Sequence, residues 1–454
     1  MKKLLALCLL IPFLFCISCS GEPADNEPNL GSKGKLSGKT AAEYFEENKL
    51  YIGWNIGNTL DGPDETAWLP FQNFAYINQD LMNGIKAAGF NLVRIPITWN
   101  FDRANKFGRP IGPAPEYRLN EDRLERVAEV VDMAYNAGLA VIINLHHDGA
   151  PAHASDSMFW LNIGAAASNE TQYTELTAKF TAVWKQIAER FRDYGDWLIF
   201  EGHNELQAGQ GSQGAWGWNV PDNQLTVINN WNQVFTDTIR EVGGNNTDRF
   251  LVIQPISARA HFAIADYVVP AEIQGNPQVS VAFTLPIDPT PNKQIVSMHW
   301  YYPESFCLYG TTYYNTVWGT ELAHKDIIIN GGTSNPPYGT EAPDTTSTGG
   351  VGFSHFKSRY KDNGIPVIIG ECGVTFQGNR NETQTEIADT SRLAFLTYFC
   401  EQAKVHGLTP ILWDNGSNLS GQNNENFGLF NRETGEPLGK REDELIKAMV
   451  NAVK

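Results

Sequence analysis

The chain alternates between short apolar runs and longer stretches with helical spacing. Runs rich in β-formers occupy residues 51–56, 91–97, 140–145, 198–200, 250–254, 295–299, 366–369 and 409–413, eight in all. They are continuously apolar, as strands buried on both faces are. Between them the period changes. Beyond Thr174, the residues Leu176, Phe180, Val183, Trp184, Ile187 and Phe191 form one apolar stripe of a helix. A second helix starts near Asn120, whose side chain can cap it, and carries Leu124, Val127 and Val131. Gly89, Gly138, Gly364 and Gly407 each precede a strand, where a helix ends before an αβ turn. Strand and helix alternating eight times predict an α/β fold, a (β/α)8 TIM barrel with long βα loops, as one domain over residues 39–454.

In such a barrel, the C-terminal strand ends and the loops after them form the cleft. Polar and aromatic residues gather at those ends: Arg94 on the second strand, His146 and His147 after the third, Asn204 and Glu205 after the fourth. His299 and Tyr301 follow the sixth, Glu371 the seventh, and Trp413 with Asp414 the eighth. Glu205 and Glu371 are far apart in sequence, yet a closed barrel can bring them face to face. Two carboxylates in one cleft suit glycosidic hydrolysis, one giving a proton to the leaving oxygen and the other attacking or activating water.

Residues 256–294 and 303–350 are long connections, expected to wall the cleft. Trp54, Trp68, Trp99, Trp160, Trp216, Trp218, Trp300 and Trp318 fall in or near loops and strand ends, and some are expected to stack on sugars in an extended cleft. Trp184, Trp197 and Trp231 fall in or beside helical patterns and are expected in the core.

The beginning of the chain reads differently. Residues 1–18 pair Lys2 and Lys3 with an apolar run, which is a secretory leader. Phe15-Cys16-Ile17-Ser18-Cys19 resembles a bacterial lipoprotein signal, which implies acylation of Cys19; an ordinary signal peptide is the alternative. Ser20 in place of aspartate implies an outer-membrane or cell-surface anchor. Residues 19–38, poor in large apolar side chains, read as a flexible tether.

Charge and cysteines narrow the class. Fifty-one acidic residues against 34 basic ones give a net charge of −17, and no basic patch offers a nucleic-acid surface. Beyond Cys19 only Cys307, Cys372 and Cys400 remain, too few and too scattered for a disulfide framework. His146 and His147 could be metal ligands or core histidines, but no acidic third ligand sits at a suitable spacing, so sugar contact is the favoured reading and no metal is expected.

As an ordered set, Arg94 in Arg-Ile-Pro, His146-His147, Asn204-Glu205, His299-x-Tyr301, Gly370-Glu371 and Trp413 resemble glycoside hydrolase family 5, over essentially all of residues 40–454. Residues 54–61 and 412–416 look like its endo-β-1,4-glucanase and xyloglucanase branch. The resemblance implies Glu205 as general acid/base and Glu371 as nucleophile of a retaining reaction. It implies Arg94 and Tyr301 as groups holding Glu371 ionised, Asn204 as a partner of the sugar 2-hydroxyl, and His146, His147, His299 and Trp413 as further substrate contacts. Leu206 departs from the proline usual after the acid/base. The expected protein is thus a secreted, monomeric endo-β-1,4-glucanase needing no cofactor, its partner a neutral plant polysaccharide or oligosaccharide, and its only membrane contact the lipid anchor. A xyloglucanase, mixed-linkage glucanase or mannanase shares the same catalytic set, and a non-catalytic glycan-binding protein is the rival from another class.

Overall fold

The computed structural model describes residues 30–65, 75–101, 108–149, 159–207, 220–264, 281–302, 304–308, 351–376, 382–417 and 426–454. Eight strands appear where the apolar runs predict them: β1 (Gly53–Ile56), β2 (Leu92–Ile95), β3 (Ala140–Asn144), β4 (Leu198–Glu201), β5 (Leu251–Ile253), β6 (Gln294–Trp300), β7 (Val367–Cys372) and β8 (Leu408–Asp414). Each pairs in parallel with the next, and β8 closes on β1, giving a (β/α)8 barrel. Helices over Glu121–Asn136, Glu170–Arg190, Asp222–Val242, Glu382–His406 and Lys440–Val453 surround it. Asn120 accepts from the Arg123 N–H as the expected cap, and Phe180, Val183, Trp184 and Ile187 are the buried face of their helix. Gly89, Gly138, Gly364 and Gly407 all have positive φ, the left-handed turn expected where a helix ends before a strand.

The pleat decides which side chains reach the barrel axis. Phe200 on β4 lies against Trp184 of the helix Glu170–Arg190, so it faces outward. Ile199 and Glu201, on the other face of the strand, therefore point inward. Along β2 the inward position is Arg94, fully buried and bonded to Glu201 across the barrel.

Part of the segment read as a tether is packed. From residue 30 it lies across the end of the barrel where the strands begin. The Lys33 carbonyl accepts from Gly195 N at 2.7 Å and from Trp197 Nε1 at 2.7 Å, while Gly34 O accepts from Asn245 Nδ2 at 2.8 Å. Ser37 N donates to Asp196 Oδ2 at 2.8 Å, and Lys33 pairs with Asp132 at 2.6 Å. These are mostly backbone contacts, and side-chain composition carries no trace of them. The leader and Cys19 lie outside the described residues.

Trp184, Trp197 and Trp231 are in the core as expected. Trp54, Trp99 and Trp300, expected as sugar-stacking candidates, are buried too. Trp54 donates to Asp414 Oδ2 at 3.2 Å, Trp99 donates to the Asn144 carbonyl at 2.9 Å, and Trp300 packs edge-on to Phe353. Trp160 is half-buried beneath Lys179. Trp68, Trp216, Trp218 and Trp318 lie outside the described residues. Cys307, Cys372 and Cys400 are buried free thiols, and Cys372 Sγ turns to the Ile411 carbonyl.

Arg249 staples the closed end of β4. Its Nη1 donates to Gly195 O at 3.1 Å and Leu198 O at 2.6 Å, and its Nη2 to Phe191 O at 2.9 Å and Tyr194 O at 3.0 Å. Arg249→Met strips the donor from four carbonyls and should lower stability by on the order of 3 kcal/mol. Urea unfolding measures it, and because the residue is remote from the open end of the barrel, kcat of the folded fraction should stay at the wild-type value.

Candidate active site

The nine predicted site residues converge at the C-terminal end of the barrel. His146, His147, Glu205, His299, Tyr301, Glu371 and Trp413 line a cavity of about 440 Å³. Arg94 and Asn204 are buried, and Arg94 donates both to the Glu371 carboxylate and to Asn204 Oδ1.

Glu371 owes its position to a bulge. Pairing runs Met298 to Ile369 and then His299 to Glu371, so Gly370 is an extra residue in β7. Such a bulge re-aims the next side chain. Only glycine fits there: a Cβ on Gly370 would lie 2.6 Å from Ser297 Oγ and 3.0 Å from His299 Nε2. The Gly370 carbonyl is held by Asn55 Nδ2 at 2.9 Å. Glu371 Oε1 then accepts from Arg94 Nη1 at 3.0 Å, and Oε2 from the Tyr301 hydroxyl at 3.2 Å. Burial pushes the Glu371 carboxyl up from its ordinary range, as does the nearby Glu205 charge; His299 and Arg94 oppose both.

Glu205 sits in the loop after β4 with φ at 42°, a strained backbone for a non-glycine residue. A following proline would bias this position toward extended backbone, and Leu206 imposes no such bias. The Glu205 side chain is 21 % exposed, and its Oε1 lies 2.5 Å from His299 Nδ1. Burial raises the Glu205 carboxyl to about 7, against the opposing charges of Arg94, His147 and Arg259. Burial lowers His299 to about 4, so at neutral pH its ring is uncharged and Nδ1 can accept a hydrogen bond from a protonated Glu205 carboxyl. One carboxyl is thus braced by a cation and a hydroxyl, and the other is set to keep its proton. Their oxygens lie within 4.8 Å of each other.

Hydrogen bonding also sets the neighbours. Asn204 Oδ1 accepts from Arg94 Nη2 at 2.6 Å, which leaves its Nδ2 as the donor available to a ligand. Asn144 Oδ1 accepts from Ile97 N at 3.1 Å, so its Nδ2 is the group 3.3 Å from His146 Nδ1. His146 Nδ1 must accept there, and the proton of this neutral ring resides on Nε2, 3.9 Å from Glu371 Oε1. Burial holds His146 well below the ordinary histidine value. Its ring stacks parallel to Trp413 at 5.7 Å, and Trp413 is half-exposed to the cavity. Burial opposes charge on His147, but hydrogen bonding to Asp61 and the negative charges of Asp61, Glu371 and Glu205 outweigh it and raise the imidazole.

Asp61 supplies the acidic third neighbour that sequence spacing did not offer to the two histidines. Among the described residues, Asp61, His146 and His147 form one group of donor atoms within 4.8 Å, and Glu205, His299 and Glu371 another. Asp61 is engaged by backbone N–H groups, from Asn58 at 3.0 Å and Thr59 at 2.7 Å, and His146 presents a protonated Nε2 to it, not a lone pair. The first group thus fits a hydrogen-bonded wall better than a metal centre. The second is the carboxylate pair itself.

Sequence reasoning missed Asn55, Glu201, Gln254 and Arg259. The first three are inward-facing polar residues on strands or strand ends, a period-two signal present in the sequence. Arg259 follows the β5 turn, where Ser257 and Ala258 also have positive φ, and this short segment does wall the cavity as expected of residues 256–294. Residues 265–280 and 309–350 of the two long connections lie outside the described residues.

A family model described as cellulase, glycosyl hydrolase family 5, matches residues 46–419. The chain is 32% identical over 398 residues to an endoglucanase B of Clostridium cellulovorans, covering 87% of this chain and 72% of that one. A broad-specificity GH5-4 endoglucanase from Bacteroides salanitronis superposes with a TM-score of 0.72 at 34% identity, over 93% of this chain and 97% of that one. A family 5 xyloglucanase from Paenibacillus pabuli gives 0.69 at 29% identity, over 89% and 99%.

The bulge carries a direct expectation. Gly370→Ala should force Ser297 and His299 away and displace Glu371, costing about 1–3 kcal/mol of stability. A shift of about 1 Å at a reacting group costs about 100-fold in kcat/KM. Thermal melting and initial rates on one substrate separate the two effects.

Proposed function

The chain belongs to glycosyl hydrolase family 5, and on that premise we propose that it is a retaining endo-β-1,4-glucanase acting on internal bonds of a plant β-glucan. The observation that carries this reading is the unequal pair: two carboxyls within 4.8 Å, of which only Glu371 is braced by Arg94 and Tyr301. Retaining enzymes hold their carboxyls about 5–5.5 Å apart, whereas inverting ones leave about 6.5–9.5 Å for a water.

Glu205 gives its proton to the leaving glycosidic oxygen while Glu371 attacks the anomeric carbon, so a C–O bond to carboxylate forms as the glycosidic C–O bond breaks. The resulting ester removes the Glu371 charge. Glu205, now ionised, takes a proton from water as its oxygen displaces Glu371 and regenerates both groups. Asn204 Nδ2 donates to the 2-hydroxyl, an interaction that strengthens at the transition state, and the Trp413 face receives the apolar side of the ring. Xyloglucanase activity is the second reading, favoured by the likeness to the Paenibacillus pabuli enzyme. The leader and a lipid on Cys19 belong to the same proposal on sequence grounds; a mature N-terminal peptide without an added acyl mass would refute the anchor.

A panel of cellulose derivatives, mixed-linkage glucan, xyloglucan and mannan tests the substrate, and cleavage of mannan alone would rule out the glucanase reading. Proton NMR of the first product should show the β-anomer; α-anomer as first product would overturn retention. Glu371→Gln should abolish turnover on every substrate, whereas Glu205→Ala should retain hydrolysis of aryl glycosides whose leaving groups need no proton. Equal loss of both activities in the two variants contradicts the division of roles.

The pH profile follows from the same pair. The acid must be protonated, so kcat/KM should fall as pH rises through about 7, the value to which burial raises Glu205. Rates on a natural glucan, measured from pH 4 to 9, check this. The alkaline limb should disappear for Glu205→Ala acting on an activated aryl glycoside.

A further inference from the structure

One buried carboxylate has no part in bond making or breaking, yet it is linked to each half of the pair through one hydrogen-bonded neighbour. Glu201 ends β4 and is wholly enclosed in the barrel. Its Oε2 accepts from Arg94 Nε at 2.7 Å and from Asn144 Nδ2 at 3.0 Å, and its Oε1 from Gln254 Nε2 at 2.5 Å. Through Arg94 it is linked to Glu371 Oε1 and Asn204 Oδ1. Through Gln254, whose Oε1 accepts from Glu205 N at 3.3 Å, it is linked to the strained backbone of the proton donor.

Two acids share one guanidinium. An Arg94 opposed by Glu371 alone would bind the nucleophile as a tight ion pair, easier to ionise but less basic toward carbon. It would also draw the proton off Glu205 more readily. Glu201 occupies the Nε edge and leaves Nη1 and Nη2 for Glu371 and Asn204, so it fixes the plane of the fork as well as offsetting its charge. We propose that Glu201 is a positioning residue for both catalytic carboxyls, dividing the Arg94 charge between itself and the nucleophile and holding, through Gln254, the backbone of the acid. This inference rests on the roles proposed above for Glu205 and Glu371.

The groups that surround the pair are Asp61 from the β1 loop, Arg94 from β2, His146 and His147 after β3, Glu201 on β4, Arg259 after β5, His299 and Tyr301 at β6, and Cys372 on β7. Of these only Glu201 changes in the test. Glu201→Gln keeps the volume and removes the charge. Both limbs of the kcat/KM profile should then move to lower pH by about one unit. Maximal kcat should drop about 10–100-fold. Glu201→Asp, which keeps the charge, should hold both limbs within about 0.3 unit of wild type even where kcat falls. Lower activity in both variants with unmoved limbs would reduce Glu201 to a packing role and overturn the proposal.

Removing one of the two carboxylates paired with Arg94 inside the barrel could prevent Glu201→Gln from folding. In that event Arg94→Met is compared with the double variant Arg94→Met, Glu201→Met. If Glu201 acts on the nucleophile through Arg94, the second substitution adds less than about threefold to the loss; a further loss of tenfold or more would overturn the Arg94 part of the proposal. Failure of the catalytic assignment itself shows up separately, as turnover surviving in Glu371→Gln.

Discussion

The open end of this barrel is organised around one buried cation. Arg94 is fully enclosed, and an uncompensated charge there would cost several kcal/mol. It is tolerated because acceptors from three other parts of the barrel close on it: Asn55 from β1 at 3.0 Å, Glu201 and Asn204 from β4 and its loop, and Glu371 from β7. Those acceptors can meet only if the sheet closes, with β4 and β7 facing across the axis. Closure and chemistry therefore depend on the same contact. The cation donates to Glu371 and opposes the rise that burial imposes on its carboxyl, fixes the amide of Asn204, and leaves Glu205 as the carboxyl without a cationic brace.

Much of the barrel was legible in the sequence because its signal is local. Continuous apolar runs mark strands covered on both faces, and each of the eight lies at a strand of the sheet. The convergence of Arg94, Glu205 and Glu371 was also legible, since strand order in a closed barrel converts sequence distance into adjacency. Side-chain direction was less so. Trp54 stands beside Asn55, and Asn55 points to the axis to meet Arg94, so Trp54 must face the helices and cannot stack on a sugar. Period-two reasoning applied to that pair would have excluded it.

Glu201 was missed for a different reason. Its parity with Ile199 places it inside the barrel, but its purpose appears only with Arg94, more than a hundred positions earlier. The packing of residues 30–38 was hidden because it is made largely of backbone hydrogen bonds, which composition does not record. The acidic neighbour of His146 and His147 was hidden likewise, since Asp61 comes from a different strand.

The division of labour between the two glutamates is tested most directly by trapping the intermediate. In a 2-deoxy-2-fluoro-β-cellobioside bearing a good leaving group, the fluorine slows both formation and breakdown of the ester while the leaving group restores formation, so the ester accumulates. Intact mass and peptide mapping should then find one fluorosugar on the peptide containing Glu371. A sugar attached to Glu205, or complete turnover of the reagent with inversion at the anomeric carbon, would contradict the account.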